Sequence, residues 1–273
     1  MRFYSHVPGR PLDEFIGMFW LYEGYTEPHD KERLLPDGSM ELVVNLAEDR
    51  IRDYHPGQTE KFQMLRGSVM VGAHSEFFVI DTAEQFNVAG VHFKPGGAFP
   101  FFGPPANELQ NQMVSLADLW GALAGQLRER LLEAGTPGEK FRVFAEILLA
   151  RAAQRLGRHP AVDYALGQFR SAAQTSTVAG VTGRIGLSAK RFIDVFSGEV
   201  GLTPKLYCRV RRFQRAVRLA DRGRTIDWAA LAADCGYFDQ AHFIHDFRAF
   251  SGINPSTYIA QRTPHLNHVP LID

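Results

Sequence analysis

Gly186-Leu187-Ser188, followed by Phe192-Ile193, Phe196, Gly201, Pro204 and Tyr207, is a pattern that this chain uses twice. Its second appearance is Gly236-Tyr237-Phe238, followed by Phe243-Ile244, Phe247, Gly252, Pro255 and Tyr258. From Phe192 and Phe243 onward, equivalent residues lie 51 positions apart. Upstream, Ala179/Ala229, Val181/Leu231, Ile185/Cys235 and Gly186/Gly236 lie 50 apart, so the second copy carries one extra residue just after its glycine. Recurrence of so many apolar and turn positions at a fixed interval marks a duplicated structural unit.

Each copy reads as a short helix, a glycine turn and a second helix. Glycine supplies the left-handed backbone that a sharp exit from a helix needs. Ser188 and Asp239 stand where a side-chain oxygen caps the next helix. In those second helices Phe192 and Phe196, and then Phe243 and Phe247, are four apart and bury one stripe. Lys190, Ile193, Asp194 and Ser197 in the first copy, and Gln240, His242, His245 and Arg248 in the second, point elsewhere. Two helices at a tight turn, one held by a core and one with a polar outer face, have the geometry that lays a helix in the major groove of DNA. The alternative is a plain helical bundle, which leaves the duplicated polar face unexplained.

Between the copies, Pro204 opens a helix running to about Ala220. It interleaves Arg209, Arg211, Arg212, Arg215 and Arg218 with Leu206, Val210, Phe213 and Val217. At ~1.5 Å per residue it spans roughly 24 Å, enough to hold two reading helices near the ~34 Å separation of successive major-groove openings. Each arginine is either a phosphate contact or part of a solvated face.

Residues 171 to 262 resemble the DNA-binding domain of the AraC/XylS family of bacterial transcription regulators. The residues that carry the resemblance include Gly186-Leu187-Ser188, Phe192, Phe196, Gly201-Leu202-Thr203-Pro204, Arg212-Phe213, Cys235-Gly236-Tyr237, Asp239-Gln240, Phe243, Phe247, Gly252-Ile253-Asn254-Pro255 and Tyr258. The resemblance implies two helix-turn-helix units reading successive major-groove segments and bending the DNA. Two departures touch the base-contacting set: Ile193-Asp194 stand where the family often has a basic or polar residue, and His242 stands where a small one is usual.

The zero net charge hides an asymmetry. Residues 171–273 carry 13 Lys+Arg against 8 Asp+Glu, and residues 1–170 carry 17 against 22. A basic C-terminal part on an acidic N-terminal part is the footprint of one DNA-binding domain attached to something else. Of the two cysteines, Cys208 and Cys235, the second replaces Ile185 in the repeat and reads as a small buried apolar residue. No disulfide scaffold or cysteine zinc site follows from two cysteines. With no signal segment and no run of 18 apolar residues, the expectation is a reduced, cytoplasmic protein with no membrane association.

From Met1 to about Phe102 the hydrophobic period is two. Met18–Glu23, Met40–Leu46, Gly67–Gly72, Glu76–Ile80 and Phe86–Phe93 are short, rich in aromatic and β-branched residues, and separated by turn residues such as Pro36-Asp37-Gly38. That pattern predicts an antiparallel β sandwich or barrel, with a short helical turn after Lys94-Pro-Gly-Gly-Ala98. Leu34 to Leu46 and Gly90 to Gly97 are similar to an N-terminal domain of unassigned function found on many AraC-type regulators, a resemblance covering roughly residues 5 to 120.

Glu41, Val43 and Asn45 share one face of a strand, and His92 and Lys94 share a face of a later one. With Trp20, Glu41, Asn45, His92 and Lys94 are the candidate ligand-binding residues: a carboxylate, an amide, an imidazole and an ammonium suit a small polar molecule. The alternative is local pairing of each. His29, His74 and His92 are too scattered to suggest a metal, and His242 and His245, three apart, suit DNA contact better. No metal or cofactor is expected.

Leu116, Leu119, Trp120, Leu123, Leu127 and Leu131 repeat at helical spacing. Gly135-Thr-Pro-Gly138 breaks the chain, and Phe141, Phe144, Ile147, Leu148 and Ala152 form a second amphipathic helix. This hairpin either caps the β domain or packs on a twin. His159-Pro160 starts a further helix, and Ser171 to Thr177 reads as a polar joint.

The chain therefore reads as α+β. The expected parts are a β-rich sensor domain over 1–112, a helical hairpin over 113–157, an all-α tandem helix-turn-helix domain over 158–262 and an irregular tail over 263–273. Bases would be read by Lys190, Asp194, Gln240, His242, His245 and Arg248. Phosphates would be met by Ser188, Arg191, Arg209, Arg211, Arg212 and Asp239. Expected partners are double-stranded DNA, a small-molecule effector, RNA polymerase and a second copy of the chain. The N-terminal part serves either as a ligand sensor or as a dimerisation module. A fused enzyme of the reactive-cysteine kind is disfavoured, because residues 1–170 contain no cysteine.

Overall fold

The computed structural model describes residues 1–55, 57–152, 156–171, 178–220 and 226–272; apart from Ser171, the expected joint over 171–177 falls outside them. The N-terminal part is built on a six-stranded antiparallel sheet. In spatial order it comprises β1 (Arg2–His6), β2 (Ile16–Glu23), β9 (Asn87–Phe93), β4 (Glu41–Asn45), β7 (Ser68–Val71) and β10 (Met113–Ser115). Alternation fixes its two faces. Phe19, Leu21, Leu42, Val44, Met70, Ala89, Val91 and Phe93 point into the main core. Met18, Trp20, Tyr22, Val43, Val69, Val71 and Val88 point the other way, into a cavity.

A second, three-stranded sheet made of β3 (Lys31–Leu34), β8 (Phe78–Asp81) and β11 (His268–Pro270) contributes to the walls of that cavity, as does a ribbon of β5 (Ile51–His55) and β6 (Gln58–Leu65). The arrangement is a sandwich. The five strands read from the sequence lie within one to two residues of the expected positions. The others are short or, like β6, almost wholly exposed, so no apolar alternation announces them.

The core face of the large sheet is covered by α1 (Leu116–Trp120), α2 (Ala122–Glu133) and α3 (Pro137–Ala152). Gly121, at φ +58°, splits what the leucine spacing suggested was one helix into α1 and α2. Phe141 and Phe144 of α3 stack on Phe19 at 6.2 and 5.8 Å, and Trp120 stacks on Phe102 at 5.2 Å. The hairpin thus spends its apolar face on the β domain.

The C-terminal part comprises α4 (Pro160–Ser171), α5 (Val178–Ile185), α6 (Ala189–Val200), α7 (Pro204–Ala220), α8 (Trp228–Asp234), α9 (Gln240–Ser251) and α10 (Pro255–Gln261). It shares one continuous core with the N-terminal part. Gly201 lies where an added Cβ would meet Ala73 at 2.9 Å, and Gly252 packs as closely on Phe77. Gln214 Nε2 donates to the Pro36 carbonyl at 2.9 Å. Among the described residues no helix is long and apolar enough to cross a membrane.

The tail corrects an expectation. Its prolines suggested irregular chain, yet residues 268–270 form β11 and pair antiparallel with β3, with Val269 fully buried. Proline is tolerated because β11 is an edge strand. The strand carries His268 to Glu32, which is 1% exposed and accepts from Tyr25 Oη at 2.9 Å while meeting His29 Nε2 at 2.8 Å and His268 Nδ1 at 2.7 Å. Burial pushes the Glu32 carboxyl up, but the bonds from His268, His29 and Tyr25 outweigh it and hold the group down at about 2. A carboxyl lowered by folding stabilises fully above its ordinary value of 4.5 and loses that contribution as pH falls toward 2. The shift corresponds to about 3 kcal/mol. His268→Ala is expected to move acid unfolding, followed by circular dichroism, to higher pH. An unchanged acid limb would contradict the role given to the tail.

Candidate nucleic-acid interface

The duplication read from the sequence is present in detail. Phe192 and Phe196 lie 5.7 Å apart at 62°, and Phe243 and Phe247 lie 5.6 Å apart at 70°. Phe196 meets Tyr207 at 5.7 Å and 64°, and Phe247 meets Tyr258 at 5.6 Å and 63°. Gly186, Gly201, Gly236 and Gly252 all have φ between +73° and +88°, closing the helix before each turn and the second helix of each unit. Ser188 Oγ accepts from Arg191 N at 3.3 Å, and an Asp239 carboxylate oxygen accepts from His242 N at 2.7 Å. The helices that follow are capped alike, by Thr203 on Leu206 N and by Asn254 on Thr257 N.

These caps fix which sides of α6 and α9 face out. Lys190, Arg191 and Asp194 are exposed on α6; Gln240, His245 and Arg248 are exposed on α9. The structure thus brings most of the expected base-reading side chains to open helix faces. His242 is the exception: it is half-buried, edge-on to Tyr237 at 5.3 Å and 3.9 Å from Asp246.

Four expected phosphate contacts are engaged inside the protein. Arg209 donates to the buried Asp246 at 2.7 and 3.4 Å, and that carboxylate holds the guanidinium above its ordinary pKa. Arg212 donates to the Gly236 carbonyl at 3.0 Å and stacks over the Tyr237 ring at 5.1 Å. Both arginines fasten α7 to the second unit, so they position the reading helix. Asp239 caps its own helix, and a carboxylate beside a phosphate would repel it. Ser188 caps likewise, keeping only its hydroxyl proton to donate. Arg191 stays exposed and Arg211 half-exposed.

Breaking the Arg209–Asp246 pair would strand a buried carboxylate. Because Arg209 is 31% exposed, Arg209→Met is expected to cost only about 2 kcal/mol, after discounting for solvent screening. Chemical unfolding would measure it, and a change below about 0.5 kcal/mol would remove the pair from the account.

One residue at this face was missed. The extra residue of the second copy falls between Gly236 and the Asp239 cap, where the first copy has only Leu187. Tyr237 takes the buried place of an apolar turn residue, so Phe238 is the insertion, and it is 93% exposed. A whole phenyl ring thus stands open to solvent at the turn that leads into α9. The offset of 50 changing to 51 was the clue in the sequence.

The candidate ligand residues divide. Glu41 and His92 line the outer part of the cavity, with the carboxylate 2.8 Å from His92 Nδ1 and Asp37 3.7 Å from Nε2. Trp20 lines its inner part. Asn45 does not: its amide organises its own loop, accepting from Ala47 N and Glu48 N and donating to the Arg50 carbonyl. Lys94 is exposed and donates to the Asp13 carbonyl. Strand alternation alone does not show where a strand ends and a turn takes the side chain away. No group of three or more His, Cys, Asp or Glu among the described residues is placed to hold a metal ion.

A pair of capped helix-turn-helix units on a shared central helix defines a DNA-binding protein. Residues 181–261 match a family described as a helix-turn-helix domain, and residues 4–115 match one described as a domain of unknown function, DUF6597. The chain accordingly carries an AraC-type DNA-binding domain at its C-terminus behind that N-terminal domain, and is a DNA-binding transcription regulator. No curated protein matches it. Among solved structures it is similar to ToxT from Vibrio cholerae O395 bound to (E)-4-(8-methylnaphthalen-1-yl)but-3-enoic acid (10% identity, 95% of this chain and 99% of that one, TM-score 0.48). It is also similar to unsaturated fatty acid bound wild-type ToxT from Vibrio cholerae strain SCE256 (10% identity, 90% and 96%, TM-score 0.45). A third is the xylose-binding transcription activator XylR (22% identity, 51% and 38%, TM-score 0.33).

Proposed function

We propose that the chain lays α6 and α9 in two successive major-groove segments of one DNA site, and that a small molecule in the N-terminal domain shifts this binding. The observation that supports the first half is the matched cap and ring geometry of the two units, which turns Lys190 and Asp194 on one, and Gln240, His245 and Arg248 on the other, to solvent. Lys190, Gln240 and Arg248 donate to base edges, and Asp194 accepts from cytosine N4. Arg191, Arg211 and the helix N-termini meet phosphates. Phe238 adds an apolar contact to a thymine methyl or a sugar. The second half is supported by the cavity, whose outer part is walled by both domains. RNA polymerase and a second copy of the chain are further partners under this reading.

Binding measured by fluorescence anisotropy against salt tests the phosphate component: log K should fall steeply with log salt, with a slope of about −0.9 per neutralised phosphate. A salt-independent affinity would contradict it. Phe238→Ala is expected to weaken the preferred site about 5–10-fold, as loss of ~1 kcal/mol of apolar burial would, with the thermal midpoint of the free protein unchanged. Unaltered affinity would leave the exposed ring unexplained.

A further inference from the structure

The cavity between the sheets has two chambers in sequence. An inner one of about 150 Å³ is lined mainly by apolar side chains, among them Met18, Val43, Val71, Phe78, Val88 and Met113. It shares Tyr22, Leu34, Glu41 and His268 with an outer one of about 530 Å³, which is lined also by Asp37, His74, His92, and by Gln214 and Arg218 of the DNA-binding domain. A chamber near 150 Å³ is the size that holds a single aromatic ring.

The charges around it are already matched. Glu41 and Asp37 face His92, which burial pushes down but these carboxylates, through the Glu41 bond first, hold up at about 9. Arg52 is paired with Glu84 at 3.3 Å and Asp81 at 2.7 Å. The lining carboxylates Asp37, Glu41 and Glu84 thus all meet His92 or Arg52, so an ionised ligand would have to compete with pairs already made. One polar atom is left over. His74 is 8% exposed and packed on Phe78 at 4.3 Å with the rings tilted by 32°, and its Nε2 is buried without a hydrogen-bond partner. Burial alone lowers His74 to about 4, so the ring is neutral and its free nitrogen can meet a hydroxyl as donor or acceptor.

We infer that the two chambers form a binding site for an uncharged molecule with a ring-sized apolar group, seated between the sheets, and a hydroxyl that reaches His74. This deepens, and rests on, the reading of the N-terminal domain as a ligand sensor. The tail of the DNA-binding part supplies Leu266, Asn267 and His268 to the outer wall, so the occupant touches both domains at once.

The test uses the full chain and three probes with the same ring: 4-ethylphenol, 4-ethylbenzoate and 4-ethylbenzylammonium. Binding is followed by calorimetry and by the fluorescence of Trp20, with Trp20→Phe as the control for that signal. The phenol is expected to bind at least tenfold more tightly than either ion. His74→Phe, which keeps the packing on Phe78 and removes the nitrogen, is expected to weaken the phenol about tenfold. Val43→Phe, which fills the inner chamber, is expected to abolish binding, with Met113→Phe as the second chamber-filling variant should the first fail to fold by circular dichroism. Failure of the phenol to bind, tighter binding of either ion, or indifference to the chamber-filling variant overturns the proposal. DNA affinity measured with the phenol bound separates the two readings: an unchanged affinity removes ligand modulation while leaving the site in place.

Discussion

Phe213→Ala is expected to destabilise the protein by about 3–5 kcal/mol, the usual cost of deleting a fully enclosed phenyl ring. Phe213 sits on α7 with no exposed surface, 5.1 Å from Phe247 and 5.2 Å from Phe250. It is where the central helix grips the second unit, so the vacancy loosens the mounting of α9. Against a total stability of roughly 5–15 kcal/mol, most of the margin disappears. DNA binding should fall on every sequence alike, because the mounting and not the reading face is damaged. Phe213→Leu, which refills much of the space, should recover all but about 1–1.5 kcal/mol. Urea unfolding of both variants checks this; a cost for alanine under ~1 kcal/mol would mean that α7 is not the shared core of the two units.

The second large effect is selective. Arg248→Ala and Gln240→Ala are each expected to cost about 1–3 kcal/mol on the preferred site and much less on random DNA, because a base-edge contact carries sequence information and a phosphate contact does not. Both residues are exposed on α9, away from the Phe243–Phe247 stripe, so the free protein should unfold as before. Competition titrations on the two DNAs measure the difference. Equal losses on both would assign these side chains to the phosphates.

The repeat was legible because it is local. Gly186 and Gly236, the caps at Ser188 and Asp239, and the phenylalanines four apart each act within one turn-helix unit, so sequence spacing states the geometry directly. The two faces of the large sheet were legible for the same reason, through alternation along single strands. What stayed hidden depends on partners far away in the chain. The spacing of Arg209 and Arg212 on α7 shows a basic stripe but not that Asp246 and the Gly236 carbonyl take them up. The tail becomes a strand only because β3 offers it an edge and buried Glu32 offers His268 a partner. Asn45 sits at the strand end, where the turn recruits its amide. Phe238 lay between these cases: the register shift of one residue located it, and only the fold showed that its ring faces solvent.

The central claim is that two rigid units read one duplex together, and site selection from random DNA by the full chain tests it most directly. Two specified blocks are expected, about 10 base pairs centre to centre. Lys190→Ala should relax one block and Gln240→Ala the other. A single specified block, or relaxation of the same positions by both substitutions, would contradict it.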